Sequence, residues 1–381
     1  MYVHIPFCAA RCPYCDFATA PATTRLRARY LAALAVEIGR EGAALGRPRA
    51  RTLFVGGGTP SLLEPDEIDA LAAALHGAFA FRPLEATIEA NPAPLDRARL
   101  GAWKRLGITR LSFGAQSFSA EGLRALGRTH QPGAVAPAVA AARSLGLAVA
   151  IDLIFGWPGQ TAELWAADLA AAQALAPDHL SCYPLELELE REEADANWPG
   201  GGWPVVARWR TRAAAAAPDE DAVASLYEQA ERTLRRGGFR HYEIANWARP
   251  RRRSRHNLAY WRNDEWVGLG AGAHSHLGGF RSRNPAALTA YLARTEAGLG
   301  RLAAERVDEA VDGAILALRL DEGLALDRYT QRFGRVAADR ARRGLRSLDG
   351  TGLIRWSGET ARLTPRGRLL ATEVFLRLLP D

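Results

Sequence analysis

The chain has 381 residues, of which 48% are hydrophobic and 24% charged, within the ordinary range of globular proteins. Its length allows one large domain and a smaller one, and no run of eighteen uncharged apolar residues occurs, which excludes a predicted transmembrane helix. The net charge is +7, but the arginines that carry almost all of the positive charge are mostly interspersed with acids, which disfavours nucleic-acid binding.

The first half of the chain alternates short apolar strands with amphipathic helices. Strands are predicted over residues 2–7, 52–55, 86–90, 110–113, 147–155 and 179–185. Helices are predicted over residues 23–45, 65–79, 96–106, 121–126, 133–145 and 163–174. This alternation indicates an α/β fold with a parallel sheet and right-handed crossovers. Six strand–helix units predict a partial (β/α)6 barrel, with the chemistry at the carboxyl ends of its strands.

Beyond residue 190 the alternation stops. Residues 197–218 are rich in Trp, Gly, Pro, Arg and Ala and are predicted to form a loop or insertion. A helix is predicted over 219–236, and residues 305–381 combine helices with short β segments, as in a small winged-helix-like α+β domain. We therefore predict three domains, over residues 1–190, 191–284 and 285–381.

Three of the four cysteines follow the first strand, as Cys8, Cys12 and Cys15 with the spacing C-x3-C-x2-C. Three thiolates can bind three irons of a cubane 4Fe–4S cluster and leave the fourth iron open. Zinc is an alternative, but it normally takes four protein ligands, and no second Cys/His pair follows nearby. A disulfide is disfavoured because the sequence shows no signal peptide, and we expect a reducing, cytoplasmic location. The fourth cysteine, Cys182, is predicted to be a buried small hydrophobe.

Glycine and polar residues mark the other strands. Gly56-Gly57-Gly58-Thr59-Pro60 follows the second strand, where glycines let the backbone approach a ligand closely. Glu89 ends the third strand and Asp152 is the one acid of the apolar fifth strand, so that each carboxylate needs a polar partner. The alternative for Glu89 to a hydrogen bond with a ribose diol is a salt bridge with an arginine at the rim of the sheet. Arg128 follows Gln116 by twelve residues, and a guanidinium is suited to a carboxylate ligand.

Together these motifs resemble the radical S-adenosylmethionine (SAM) superfamily. The resemblance implies that SAM occupies the open iron, and that one electron from the cluster cleaves SAM to a 5′-deoxyadenosyl radical. Within the superfamily the chain is similar to the oxygen-independent coproporphyrinogen III dehydrogenases and the HemW haem chaperones, which share Tyr-x-His-Ile-Pro-Phe-Cys, Gly-Gly-Gly-Thr-Pro and Ile-Asp-Leu-Ile-x-Gly. The SAM contacts implied by this resemblance are Tyr2, Gly57, Gly58, Thr59, Glu89, Gln116, Arg128 and Asp152.

Two departures favour the HemW branch over the dehydrogenase branch. The dehydrogenases have a further cysteine two residues after the third cluster cysteine, and this position is Phe17 here. They also have an extension before the first strand, whereas only Met1 precedes Tyr2. In addition, the sequence His-Asn-Leu-Ala-Tyr-Trp at residues 256–261 resembles the His-Asn-x-x-Tyr-Trp motif associated with haem in HemW proteins.

The same resemblance implies that His256 and Tyr260 bind haem. If this stretch is helical, the two side chains share a face, and a neutral imidazole is a common axial donor to haem iron. Trp261 would add apolar area, and the arginines between residues 249 and 255 would pair with the propionates. A structural hydrogen-bonding role is the alternative for His256, and His274 and His276 are rival ligands.

The function implied by these motifs is a haem chaperone that binds haem and transfers it to apo-haemoproteins, with a 4Fe–4S cluster, SAM and haem as cofactors. The alternative is an enzyme that oxidatively decarboxylates coproporphyrinogen III to protoporphyrinogen IX, and a more distant one is another radical SAM reaction on a small molecule. The expected partners are haem and apo-haemoproteins, without nucleic acid. The sequence is compatible with a homodimer and with a peripheral membrane contact.

Overall fold

The computed structural model describes residues 1–92, 95–187, 198 and 203–380. Its strands are β1 (Tyr2–Ile5), β2 (Phe7–Cys8), β3 (Ala20–Pro21), β4 (Arg49–Gly57), β5 (Ala80–Ala90), β6 (Arg110–Gln116), β7 (Ala148–Phe155), β8 (His179–Pro184), β9 (Arg240–Glu243), β10 (Asn246–Ala248), β11 (Gly268–Leu269), β12 (His274–Leu277), β13 (Phe280–Arg283), β14 (Glu305–Arg306), β15 (Leu324–Ala325), β16 (Ile354–Ser357) and β17 (Thr360–Leu363). Its helices are α1 (Thr24–Ala44), α2 (Pro65–Ala78), α3 (Arg97–Leu106), α4 (Ala120–Ala125), α5 (Val135–Ser144), α6 (Ala162–Ala174), α7 (Trp203–Ala215), α8 (Glu220–Arg236), α9 (Arg255–Trp261), α10 (Leu288–Glu296), α11 (Glu309–Arg319), α12 (Leu326–Arg346), α13 (Pro365–Leu369) and α14 (Ala371–Leu376).

The main sheet has the strand order β11-β1-β4-β5-β6-β7-β8-β10-β9 in the described part of the chain. The strands from β11 to β8 pair in parallel, whereas β10 and β9 are antiparallel additions at one edge. The predicted α/β fold and partial barrel are therefore confirmed, and the six predicted barrel strands are its consecutive central strands. The sequence pattern did not reveal the short edge strands β9 to β11 as members of this sheet.

Local sequence signals fix where the barrel helices begin. The side chains of Thr23, Asp96 and Thr161 cap α1, α3 and α6 by accepting from backbone N–H groups in the first turn. Helix α2 begins with a capping box between Glu64 and Glu67. The helices pack on the outer face of the sheet and bury the apolar strand residues that point outward. Polar residues such as Ser112 and Asp152 point to the inside of the barrel.

The loop predicted over residues 197–218 is wrong for most of its length. Helix α7 spans Trp203–Ala215, and Pro204 stands in its first turn, where proline is tolerated. The remainder of the helix has no Gly or Pro and contains four alanines, which have the highest helix propensity. These alanines favour the helical conformation of the segment.

The C-terminal part of the chain has a hydrophobic core of its own. Helices α11 to α14 pack with the three-stranded sheet β15-β17-β16 around buried residues that include Leu318, Leu326, Leu345 and Val374. The predicted small α+β domain is thus present. The domain boundaries stay predictions, because residue 190 lies outside the described residues and β14 pairs with β13 across the boundary predicted at 284. No helix of the described residues is both long enough and apolar enough to cross a membrane.

Candidate functional site

The candidate site lies where the parallel strands β1, β4, β5 and β6 end. Because these strands are neighbours and run in the same direction, their carboxyl ends meet at one edge of the sheet. The cysteine loop follows β1, and it is closed at its base by pairing of β2 with β3, where the Ala20 N–H donates to the carbonyl of Pro6 at 2.7 Å. The predicted cysteines and the SAM residues that end β4, β5 and β6 therefore belong to one edge, whereas Tyr2 begins β1 and Asp152 lies within β7.

The three motif cysteines are free, half-buried thiols on this loop. The Cys8 sulfur lies 3.5 Å from the Thr59 hydroxyl, and Arg128 Nη1 donates to the Cys12 sulfur at 3.2 Å. The Cys15 N–H donates to the Cys12 carbonyl at 3.0 Å, which turns the chain between them. Burial raises the pKa of the Cys8 thiol to about 11 and that of the Cys15 thiol to about 12. Without a cation these thiols hold their protons, which a bound metal would displace.

This donor set fits a cluster better than a single ion. Among the described residues, no three His, Cys, Asp or Glu side chains gather as ligands of one metal ion. In a cubane each thiolate binds a different iron, so that the sulfurs need not converge on one point. The Thr59 and Arg128 donors beside two of the sulfurs are the kind of outer-shell partner that stabilises bound thiolate.

The glycine segment after β4 requires glycine at two positions. Gly57 has φ +110°, and a Cβ there would lie 2.4 Å from the His4 ring. A Cβ on Gly58 would lie 2.7 Å from the carbonyl of Phe7, in the backbone that leads into the cysteine loop. These glycines let the segment pack directly against the loop, with Thr59 buried between them and Cys8.

Two carboxylates stand in the polar interior beside this segment. Glu89 Oε2 accepts from the Gly57 N–H at 2.9 Å, and Asp152 accepts from the Ser112 hydroxyl at 2.9 Å. Burial, together with a smaller contribution from the nearby Asp152 charge, raises the pKa of Glu89 to about 7, although the hydrogen bond from Gly57 opposes this rise. Burial also raises the pKa of Asp152. Among the described residues neither acid forms a salt bridge such as the one considered for Glu89, and both can accept hydrogen bonds from a ligand.

Arg128 links the cysteine loop to β5 and β6. Besides Cys12, its Nη2 donates to Asn91 Oδ1 at 2.6 Å and to the Gly114 carbonyl at 3.0 Å. Gln116 stands at an irregularity in β6 with φ +64°, a left-handed conformation that is uncommon outside glycine. Strained backbone of this kind is frequent at ligand sites. Tyr2 reaches the same interior, where its hydroxyl hydrogen-bonds His4 Nδ1 at 2.9 Å.

The structure places His256 and Tyr260 at the opposite end of the barrel. His256 Nδ1 pairs with the hydroxyl of Thr52, near the start of β4, at 3.0 Å, and Nε2 pairs with the Tyr260 hydroxyl at 3.0 Å. Five residues along β4 separate Thr52 from Gly57, a distance of about 16 Å. The His256 side chain is only 2% exposed, and its ring stacks on Phe54 at 5.2 Å. In this conformation both ring nitrogens have hydrogen-bond partners within the protein.

The arginines near this motif also have partners within the fold. Arg252 pairs with Asp178 at 3.1 Å, and Arg253 pairs with Glu322 at 2.9 Å. Arg249 donates to the carbonyl of Pro177 and lies over the Phe239 ring. Their predicted pairing with propionates would require these contacts to break.

Sequence reasoning missed Arg210, which is 1% exposed on α7. Its guanidinium donates to the carbonyls of Pro13 and Cys15 at 3.0 and 3.3 Å and to the Asp16 carboxylate at 2.5 Å. The insertion is thereby attached to the cysteine loop. One signal could have found it: once 203–215 is read as a helix, Arg210 falls on the same face as the apolar Val206 and Ala213.

The same edge also fits SAM. The glycine segment provides close backbone approach, Glu89 and Asp152 offer acceptors for ammonium or hydroxyl groups, and Arg128 offers a cation for a carboxylate. A ligand with an amino acid group and a ribose has matching groups of each type.

Comparisons with known proteins identify the family of this chain. The family model "Radical SAM superfamily" matches residues 2–170, and the "HemN C-terminal domain" model matches residues 304–370. A relative called heme chaperone HemW from Mycobacterium tuberculosis is 35% identical, over 100% of this chain and 94% of its own. The Bacillus subtilis protein of the same name is 32% identical, over 98% of this chain and 97% of its own.

The solved structure of coproporphyrinogen III oxidase (HemN) from Escherichia coli, described as a radical SAM enzyme, superposes with a TM-score of 0.84. The superposition covers 99% of this chain and 89% of the HemN chain. At 24% sequence identity, this similarity shows only that the two proteins share a fold. The two relatives span nearly the whole chain at more than 30% identity, and the site has the cysteine and glycine motifs of the superfamily. The chain therefore belongs to the radical SAM superfamily and, within it, to the family of the HemW haem chaperones.

Proposed function

We propose that this chain binds haem and delivers it to apo-haemoproteins, on a radical SAM scaffold that carries a 4Fe–4S cluster and SAM. The observation that carries the proposal is the similarity to heme chaperone HemW proteins along the whole chain, at 35% and 32% identity. The exposed Phe17 supports it, because the porphyrin-forming branch would have a cysteine there. We expect the protein to work in the cytoplasm. A homodimer, a peripheral membrane contact and a lack of nucleic-acid binding stay predictions.

We assign the cluster to Cys8, Cys12 and Cys15, and SAM to the polar residues at the carboxyl edge. Arg128 would orient the SAM carboxylate, and Glu89 and Asp152 would accept from its ammonium or ribose hydroxyl groups. Tyr2, Gly57, Gly58, Thr59 and Gln116 would complete the pocket wall. When bound, the cluster supplies an electron that SAM can accept.

The assignment of haem to His256 and Tyr260 stays a prediction. The contacts around these residues show which interactions haem coordination would have to break. Coordination by His256 would break its hydrogen bond with Thr52 or with Tyr260 and would withdraw the ring from Phe54. Because these groups are buried, such a rearrangement would leave polar atoms unpaired.

The experiment that tests the function is haem transfer under anaerobic conditions. Protein loaded with haem is mixed with an apo-haemoprotein, and the Soret band of the acceptor is followed after the two proteins are separated. Transfer faster than from free haem is expected. If haem does not bind, or binds and never reaches an acceptor, the proposal is refuted. SAM-dependent release of CO2 from coproporphyrinogen III would instead establish the alternative enzyme.

A further inference from the structure

Asp168 is a buried carboxylate to which the SAM assignment gives no role. It lies on α6 with 1% of its surface exposed, and within the described residues it forms no ion pair. A charge without a cationic partner is costly to bury unless hydrogen bonds compensate for the lost water. The groups that donate to Asp168 therefore show which part of the fold depends on it.

These donors belong to the turn that follows β6. Oδ1 of Asp168 accepts from the Phe118 N–H at 2.6 Å, and Oδ2 accepts from the Ser117 hydroxyl at 2.9 Å. Ser117 is fully buried, and Gly122 of α4 leaves no room for a side chain against its hydroxyl. Asp168 thus fixes the two residues directly after Gln116 from the side of α6, while α4 closes the other side.

The turn held in this way has a strained backbone. The Ser117 N–H donates to the carbonyl of Ala115 at 2.8 Å, so that Gln116 is the central residue of a γ-turn. Its φ is +64°, and a γ-turn with positive φ at its centre is rare and strained. Strained backbone persists only where the surrounding structure imposes it. The hydrogen bonds from Asp168 to the next two residues are such a constraint.

The strained turn decides where the Gln116 side chain lies. In the ladder Gln116 stands opposite Leu153, whose side chain packs in the core, and a regular strand would direct both side chains to that face. The irregularity between Gly114 and Gln116 re-aims the side chain instead. A Cβ on Gly114 would lie 2.9 Å from Gln116 Nε2 and 3.6 Å from Arg128 Nη2. The amide is therefore beside the guanidinium assigned to the SAM carboxylate.

We propose that Asp168 is a positioning residue of the SAM site, which holds the turn that aims the Gln116 amide at the SAM carboxylate. It acts through Gln116 and does not touch the ligand. The inference rests on the proposed function, because Gln116 and Arg128 have a ligand only if SAM binds at this edge. A turn that is fixed before SAM arrives removes the cost of ordering it on binding.

The experiment is a double-mutant cycle on SAM affinity, measured by anaerobic calorimetry with the full chain carrying its reconstituted cluster. Asp168→Ala should bind SAM roughly fivefold more weakly, which corresponds to the loss of one neutral hydrogen bond from the Gln116 amide. Gln116→Ala should show a similar loss. The double variant should bind no more weakly than Gln116→Ala alone, because Asp168 acts only through that side chain. Losses that multiply, or an unchanged affinity in Asp168→Ala, would overturn the proposal.

A milder variant and a control on the same helix separate positioning from loss of fold. Ser117→Ala removes a single donor to Asp168, and its loss of affinity should likewise disappear in the Gln116→Ala background. Thr161→Ala removes the cap of α6, where Thr161 accepts from the Leu164 N–H at 3.3 Å, and lowers helix stability without touching the turn. It should leave SAM affinity unchanged. An equal loss in Thr161→Ala would assign the effect to helix stability and refute the positioning role.

Two outcomes distinguish this inference from the function on which it rests. Far-ultraviolet circular dichroism and iron content confirm that each variant is folded and carries its cluster. If the parent binds SAM and Asp168→Ala binds it equally well, the positioning role is wrong while the SAM site stands. If the parent with its cluster binds no SAM, the SAM assignment itself fails.

Discussion

The attachment of helix α7 to the cysteine loop leads to a sharp prediction about the cluster. Arg210 is the residue that makes this attachment, through two backbone carbonyls and the Asp16 carboxylate. We therefore expect Arg210→Met, which keeps an unbranched apolar stem but removes every donor, to release the loop while α7 remains folded. The expected result is a protein that folds but holds its cluster poorly.

The size of the effect follows from the contacts. Each hydrogen bond from a charged donor contributes about 1.5–3 kcal/mol, and Arg210 makes two of them to carbonyls of the loop that carries the cysteines. The Asp16 side chain is 27% exposed, so that water can replace its lost partner in part. A net loss of about 3 kcal/mol shifts the equilibrium of the ordered loop by roughly 100-fold.

The assay is iron and sulfide content after anaerobic reconstitution, with the electron paramagnetic resonance signal of the reduced cluster as a second readout. Arg208→Met is the control, because Arg208 is an exposed residue of the same helix. Arg210→Lys should give an intermediate loss, since one ammonium cannot span the two carbonyls and the carboxylate. Full iron content and an unchanged signal in Arg210→Met would show that the loop does not depend on α7.

Three further predictions concern the carboxyl edge. Cys12→Ser should abolish the visible iron–sulfur absorbance of reconstituted protein, and a variant that keeps its full iron content would contradict the ligand assignment. Gly57→Ala should lower the free energy of unfolding by roughly 3 kcal/mol in urea titrations, because its Cβ would overlap the His4 ring, whereas Gly77→Ala, with open space around it on α2, should stabilise the protein slightly. Folding raises the pKa of Glu89 from 4.5 to about 7, so the folded state favours the protonated acid. The contribution of Glu89 to the free energy of unfolding is therefore complete below its unfolded pKa and is lost as the pH rises through about 7. The charged acid accepts from SAM, so that SAM affinity in calorimetry should increase from pH 6 to pH 8 in the parent and stay flat in Glu89→Gln.

Much of the barrel could be predicted from sequence because its signals are local. Apolar strands, capping residues and glycine turns depend on neighbours a few positions away, and these placed β4 to β8 and the residues at their ends. The edge strands β9 to β11 are only two to four residues long, and their pairing is decided by tertiary contact. Helix α7 was missed because tryptophan, proline and glycine just before it masked a run of good helix formers.

The chemistry of single residues was harder to predict than their location. The histidine of the His-Asn-x-x-Tyr-Trp motif has the same sequence signature whether it binds iron or pairs with Thr52 and Tyr260, and only the fold decides between these roles. Arg210 belongs to no motif at all, and it lies almost 200 residues from the loop it binds.

The contacts around His256 define what haem binding at the His-Asn-x-x-Tyr-Trp motif would have to disrupt. The segment that precedes α9 closes the amino end of the barrel, where Glu85 pairs with Arg110 at 3.1 Å with both side chains 7% exposed. Glu85 also accepts from the His256 N–H, and Arg110 also donates to the carbonyl of Arg252. Displacing the whole segment would cost about 1.5–3 kcal/mol for each hydrogen bond to a charged group that it breaks, because water cannot readily replace these bonds in a buried floor. Haem binding that draws out only the His256 side chain would leave the hydrogen bond from the His256 N–H to Glu85 in place, and the ion pair beneath it would stay intact.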